Sequence, residues 1–105
     1  MEKLNPFLEE KIGLVREAFR RRHVVRAFVF GSVCTDRFRE GSDIDLLVSF
    51  DESSIEPLDY ADNYLALADE LETIFGVPVD LVTERSLRNP YFIHSVRENR
   101  TPIYG

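Results

Sequence analysis

An alternating stretch, Asp43 to Phe50, is followed by an amphipathic segment from Pro57 to Phe75 and then by a second β-like run, Val77 to Val82. A strand, a helix and a strand in that order can share one sheet only through a crossover, which is right-handed and leaves the two strands parallel. The alternation puts Ile44, Leu46, Val48 and Phe50 on one face and Asp43, Asp45, Leu47 and Ser49 on the other. Pro78 cannot donate to a ladder, so its strand is expected at a sheet edge or with Pro78 at a non-pairing site.

The flanking segments complete the element order. Asn5-Pro6 is an amino-terminal helix signal, and Leu8, Ile12, Val15 and Phe19 form the inner stripe of a first helix ending in Arg20-Arg21-Arg22, where positive charge suits the helix dipole. Val24 to Phe30 is rich in β-branched and aromatic residues and stops at Gly31, so it reads as a mostly buried strand. Twelve residues, Gly31 to Ser42, then connect it to the next strand. In the long helix Leu58, Ala61, Leu65, Ala68, Leu71 and Phe75 make the expected inner stripe, with Gly76 placed to end it. Asn89-Pro90 repeats the cap signal for a last helix burying Phe92, Ile93 and Val96, and Thr101 to Tyr104 adds an extended tail. The expected fold is α/β (α+β), a small mixed sheet flanked by helices, with residues 1–105 as a single domain.

Composition narrows the function. The chain has 105 residues, 13 Lys and Arg against 19 Asp and Glu, and a net charge of −6. It is too short for a template-reading polymerase with its own clamp, and its acidity argues against general nucleic-acid binding. Lone Cys34 excludes a disulfide framework or a multi-cysteine zinc site, and reads as a small buried side chain in a reducing cytoplasm. No apolar run is long enough to cross a membrane, and Met1 to Pro6 has no signal-peptide core. The charges are segregated. Glu40 to Glu84 holds 13 acids and no Lys, Arg or His, while Arg16 to Arg39 holds seven arginines and two acids. Two solvated faces of opposite sign would account for this; so would an acidic, cation-holding site beside a basic rim that meets an anion.

The constellation that carries chemistry is Gly31-Ser32, a ten-residue spacer, Asp43-Ile44-Asp45, and Asp80 in the last strand. Aspartates two apart on a strand point to one face, close enough to share a divalent ion. If the Gly31-Ser32 turn and Asp43 are to touch one phosphate group, the first strand must end where the second begins, as antiparallel neighbours do. Gly31 permits close backbone approach and Ser32 offers a hydroxyl and an amide, both suited to anionic oxygens. Phosphate, divalent metal and a spare carboxylate are the means of phosphoryl transfer. Neither Gly-Ser nor Asp-x-Asp is informative alone, since both occur on solvated turns and strand edges. There is no Gly-x-Gly-x-x-Gly and no Gly-Lys-Ser/Thr, which removes the Rossmann and P-loop alternatives.

Phe30-Gly31-Ser32 with Ser42-Asp43-Ile44-Asp45-Leu46-Leu47-Val48 at this spacing resembles the signature of the polymerase β-like nucleotidyltransferase superfamily, and the whole chain is similar to its minimal members. The resemblance extends over Val79-Asp80-Leu81-Val82-Thr83 and Asn89-Pro90-Tyr91-Phe92. It implies the polymerase β-like fold, with Asp43 and Asp45 as ligands of one or two Mg²⁺, Asp80 as third carboxylate and base, and Gly31 and Ser32 on the terminal phosphates. Many relatives follow Gly-Ser with a small residue, Arg and Gly where this chain has Cys34, Thr35 and Asp36; Arg37 or Arg39 stands in for that basic contact. For minimal members, often antitoxins of a HEPN-type toxin encoded nearby, it implies transfer of AMP from ATP to a partner tyrosine. A domain this short has little surface left for an acceptor, so a folded partner is expected to bring it. Two other readings fit the residues: a module that neutralises a partner by binding alone, and a nucleotidyltransferase acting on RNA or a small molecule. His23, His94, Tyr60, Tyr64, Tyr91 and Tyr104 read as capping, packing or surface residues, and Arg20, Arg21, Arg22 and Arg26 as solvated.

Overall fold

The computed structural model describes residues 6–30 and 43–105. Helix α1 spans Pro6–Arg21 and strand β1 Val24–Phe30; β2 is Ile44–Phe50, α2 Tyr60–Phe75, β3 Val79–Thr83, α3 Pro90–Asn99 and β4 Thr101–Tyr104. The strands lie in the order β3-β2-β1-β4, with β1 antiparallel to both β2 and β4 and β2 parallel to β3. The sheet is therefore mixed, as the sequence requires. The parallel pair is the one joined through α2, and both β3 and the tail strand β4 form edges. Pro78 lies just outside β3, where it needs no ladder donor; its carbonyl instead accepts the Ile44 amide at 3.0 Å.

Local chemistry explains the ends of the elements. His23, between α1 and β1, has a φ of 66° and turns the chain. Gly76 ends α2 at φ 72°, the left-handed conformation that a residue without Cβ adopts freely, and its amide donates to the Glu72 carbonyl at 2.8 Å. The Asn89 side chain accepts from the amides of Tyr91 and Phe92 at 2.9 and 3.3 Å, capping α3 as Asn89-Pro90 predicts.

Helices α1 and α2 cover one face of the sheet and build the main core with Val29, Ile44, Leu46 and Val48. The other face carries a smaller cluster, in which Phe30 and Leu47 meet Val96 of α3. The face assignment for β2 holds. In α1 the stripe also holds: Leu8, Val15 and Phe19 are buried, Ile12 is half-buried, and Ala18 joins them.

The inner stripe of α2 needs correction. Leu58 is 95% and Leu65 61% exposed, and Ala61 is exposed, whereas Leu67 and Leu71 are fully buried and Phe75 nearly so. Pro57–Asp59 forms a 3-10 turn instead of the first turn of the helix, so the phase is set from Tyr60. Tyr60, Tyr64, Leu67, Leu71 and Phe75 then share a face, with the tyrosine rings supplying apolar surface. In α3 only Val96 is fully buried; Ile93 is half-buried and Phe92 is 40% exposed, because the second face of the sheet is covered only in part. Among the described residues no helix is long and apolar enough to cross a membrane.

Candidate active site

The parallel register of β2 and β3 sets Asp45 opposite Asp80, and the antiparallel register of β1 and β2 sets Phe30 opposite Asp45. Residues directly opposite in a ladder share a face, so Phe30, Asp45 and Asp80 stand in a row across three strands. Asp43 precedes β2 by one residue, two positions from Asp45. Strand β1 thus ends beside the start of β2, and Phe30, the residue before Gly31 in the sequence, is the neighbour of Asp45.

The charges of Asp43 and Asp80 both reach Asp45. Asp45 is half-buried, and its carboxyl is pushed above the usual range first by loss of solvent, then by the charges of Asp80 and Asp43. Asp43 and Asp80 are exposed. Like charges held together on a sheet are unfavourable unless a cation or a proton joins them.

Gly31, Ser32, Arg37 and Arg39, expected on the nucleotide, lie outside the described residues, as does Cys34. Among the described residues no three His, Cys, Asp or Glu side chains form a ready-made metal cage. The donor set nevertheless fits a hard divalent ion that keeps several waters and takes remaining ligands from phosphate. It is all carboxylate oxygen, open to solvent at Asp43 and Asp80, and charged enough to disturb its own protonation.

Two neighbours of the site were not singled out in the sequence as functional. Tyr64 donates its hydroxyl to the Leu81 carbonyl on edge strand β3, next to Asp80. Burial and then the Asp80 charge push the Tyr64 phenol upward, so it stays protonated and keeps donating. Phe92 meets Phe30 edge-on with ring centroids 6.1 Å apart, bringing the start of α3 to the row that contains Asp45. The i, i+4 pairing of Tyr60 and Tyr64 was the available signal for the first. Nothing local in the sequence signals the second. Of the arginines read as solvated, Arg20 pairs with Glu17, Arg21 and Arg22 pair with Glu70 at 2.8 and 2.9 Å, and Arg26 with Glu84 at 2.7 Å. These are exposed or half-buried pairs between elements or along a helix.

A mixed sheet carrying two facing aspartates and a third beside them, with a β-α-β unit between, defines a nucleotidyltransferase core. Residues 12–103 match the nucleotidyltransferase domain family, and the chain belongs to it. It is 41% identical over 71 residues to a provisionally named protein adenylyltransferase of Methanocaldococcus jannaschii, covering 68% of each chain. To the protein adenylyltransferase MntA of Thermococcus cleftensis it is 32% identical over 83 residues, covering 78% of this chain and 79% of the relative. A solved structure provisionally described as a minimal nucleotidyltransferase superposes with a TM-score of 0.66 at 40% identity, covering 90% of this chain and 91% of that one. The fold also matches a chain in the complex of a tri-AMPylated Shewanella oneidensis HEPN toxin with an MNT antitoxin, with a TM-score of 0.64 at 19% identity, over 92% of this chain and 71% of that one.

Proposed function

We propose that this chain, with residues 1–105 acting as one minimal nucleotidyltransferase domain, transfers AMP from ATP to a tyrosine hydroxyl of a HEPN-type toxin and so acts as its antitoxin in the cytoplasm. The observation that carries the reading is the register pair Asp45 and Asp80, with the charges of Asp80 and Asp43 both acting on the half-buried Asp45 carboxyl. Membership of the nucleotidyltransferase family supports the reaction class. The adenylyltransferase names of the relatives support AMP as the group transferred, and the HEPN complex, matched in fold, supports the partner.

In this reading Asp43, Asp45 and Asp80 would hold Mg²⁺, which would supply charge neutralisation at the phosphate oxygens and at the leaving group. Gly31 and Ser32, with Arg37 or Arg39, hold the terminal phosphates. Asp80, exposed at the sheet edge, takes the proton of the acceptor hydroxyl. The acceptor oxygen bonds to the α-phosphorus, the bond from that phosphorus to the bridging oxygen breaks, and pyrophosphate leaves. The alternative in which the chain only binds its partner has no observation in its favour among the described residues.

The test is to incubate the purified protein with ATP labelled at the α-phosphate, Mg²⁺ and the HEPN protein encoded beside it. Label on the partner, pyrophosphate in solution, and loss of both in Asp43→Ala are expected. Neutralisation of the partner in cells by Asp43→Ala and Asp80→Ala variants, with no label transferred by the wild type, would overturn the reading.

A further inference from the structure

The sheet face that carries Asp45 and Asp80 also carries, toward the other end of β1, a group of side chains that the proposed transfer does not use. A cavity of about 540 Å³ lies there between α3, the sheet and the 3-10 turn Glu84–Ser86. Its floor is apolar, formed by Phe28, Leu47 and Val96. Three guanidiniums, Arg26, Arg97 and Arg100, surround a single carboxylate, Glu84.

The charges do not balance. Arg26 donates Nε to Glu84 Oε1 at 3.0 Å and Nη2 to Oε2 at 2.7 Å, a two-pronged pair that uses both carboxylate oxygens. Arg100 lies over the Phe28 ring, its guanidinium carbon 4.2 Å from the centroid, which holds the charge against an apolar wall. Among the described residues neither Arg97 nor Arg100 forms a direct ion pair; both charges act on Glu84 from a distance, so three guanidiniums share one carboxylate in a chain whose net charge is −6. Gathering like charges is unfavourable without an anion to join them.

We propose that this cavity is a separate binding site for a nucleoside monophosphate, with the base on the Leu47 and Val96 floor beside the Phe28–Arg100 stack and the phosphate at Arg97 and Arg100. The volume falls in the range of small-molecule sites, roughly 300–1,000 Å³, and the mixture of apolar floor and convergent cations matches a planar ring joined to a phosphate. Arginine serves both halves, because it stacks on rings and grips phosphate with two donors. Glu84 does not repel the ligand because Arg26 neutralises it. Four residues along β3 and its continuation separate Glu84 from Asp80, about 13 Å at ~3.3 Å per residue, which sets the arginine-lined end of the cavity apart from the carboxylates. The site stands independently of the transfer reading.

Titrating the isotope-labelled full chain with AMP, adenosine and inorganic phosphate, without Mg²⁺, tests this by NMR. AMP is expected to shift the amide signals of Phe28, Leu47 and Val96, and to bind on the order of 10-fold or more tighter than adenosine or phosphate alone. The Arg97→Gln, Arg100→Gln double variant, whose spectrum also reports its fold, is expected to lose at least about 10-fold in AMP affinity, the scale of a charged hydrogen bond. Arg97→Lys with Arg100→Lys keeps the charge and is expected to lose less. Shifts confined to Asp43, Asp45 and Asp80, equal affinity for AMP and phosphate, or unchanged affinity in the folded Gln variant would each overturn the proposal.

Discussion

Asp45 and Asp80 face each other across the parallel strands β2 and β3, and the charge of Asp80 helps hold the half-buried Asp45 carboxyl above its usual protonation range. A carboxyl whose folded pKa is raised opposes folding once it ionises: stability falls as pH climbs from the ordinary value through the folded one. Ionised Asp45 therefore weakens the fold that positions it.

Asp45→Asn is expected to separate stability from activity. At pH 7 the substitution removes the ionised like charge, and because the group is partly solvated the gain is small, roughly 1 to 4 °C in Tm. The gain should vanish below about pH 3.9, where aspartate is protonated in both folded and unfolded chains. Label transfer should fall on the order of 10³-fold, since several kcal/mol of transition-state stabilisation are lost. Thermal melts at the two pH values together with the labelling assay decide it. A variant that melts lower than wild type at pH 7 would contradict the electrostatic account.

Acid sensitivity should arise where α1 meets α2. Burial alone would raise the Glu70 carboxyl, but hydrogen bonds and charges from Arg22 and Arg21 outweigh it and hold the group below its ordinary range. The stabilisation is then fully present above about pH 4.3 and is lost as pH falls through the lower folded value. Glu70→Gln should be less stable than wild type by up to about 1 kcal/mol at pH 7, with the difference closing as pH falls through the lowered folded value. Urea unfolding across that range measures it.

Asn89→Ala tests the cap that places α3 over Phe30. Both amides that the Asn89 side chain satisfies would lose their acceptor. The expected loss is about 1 kcal/mol, or roughly 4 to 8 °C in Tm. Hydrogen exchange should quicken first at Tyr91 and Phe92, because the opening is local.

Much of this arrangement was legible because short-range rules decide it. The strand alternation fixed which face of β2 carries Asp45, and the β-α-β order fixed the parallel partner that carries Asp80. Asn89 and Gly76 announced their caps because few other residues satisfy those geometries. What stayed hidden depends on distant contacts. Arg26 and Arg100 are separated by most of the chain, and only the antiparallel pairing of β1 with β4 brings them to one cavity. The phase of α2 differs for another reason: Pro57 starts a 3-10 turn, and a stripe drawn through Leu58, Ala61 and Leu65 leaves out Tyr60 and Tyr64, which pack against the core.

Paired substitutions in α2 test that corrected phase directly. Leu67 is fully buried among residues of the main core, whereas Leu65, two positions earlier, is 61% exposed beside Tyr60 and Tyr64. Truncating a buried leucine removes its transfer energy and leaves a cavity, costing about 2 to 5 kcal/mol. Truncating an exposed one changes stability by roughly 0.5 kcal/mol or less. Leu67→Ala should therefore be severely destabilised, a large part of the whole margin of a small domain, while Leu65→Ala melts close to wild type. Equal losses would return α2 to the phase read from its leucines and alanines alone. That rotation would also turn the Tyr64 hydroxyl away from the Leu81 carbonyl, so Tyr64→Phe provides an independent reading, with an expected loss of about 1 kcal/mol only if the bond beside Asp80 exists.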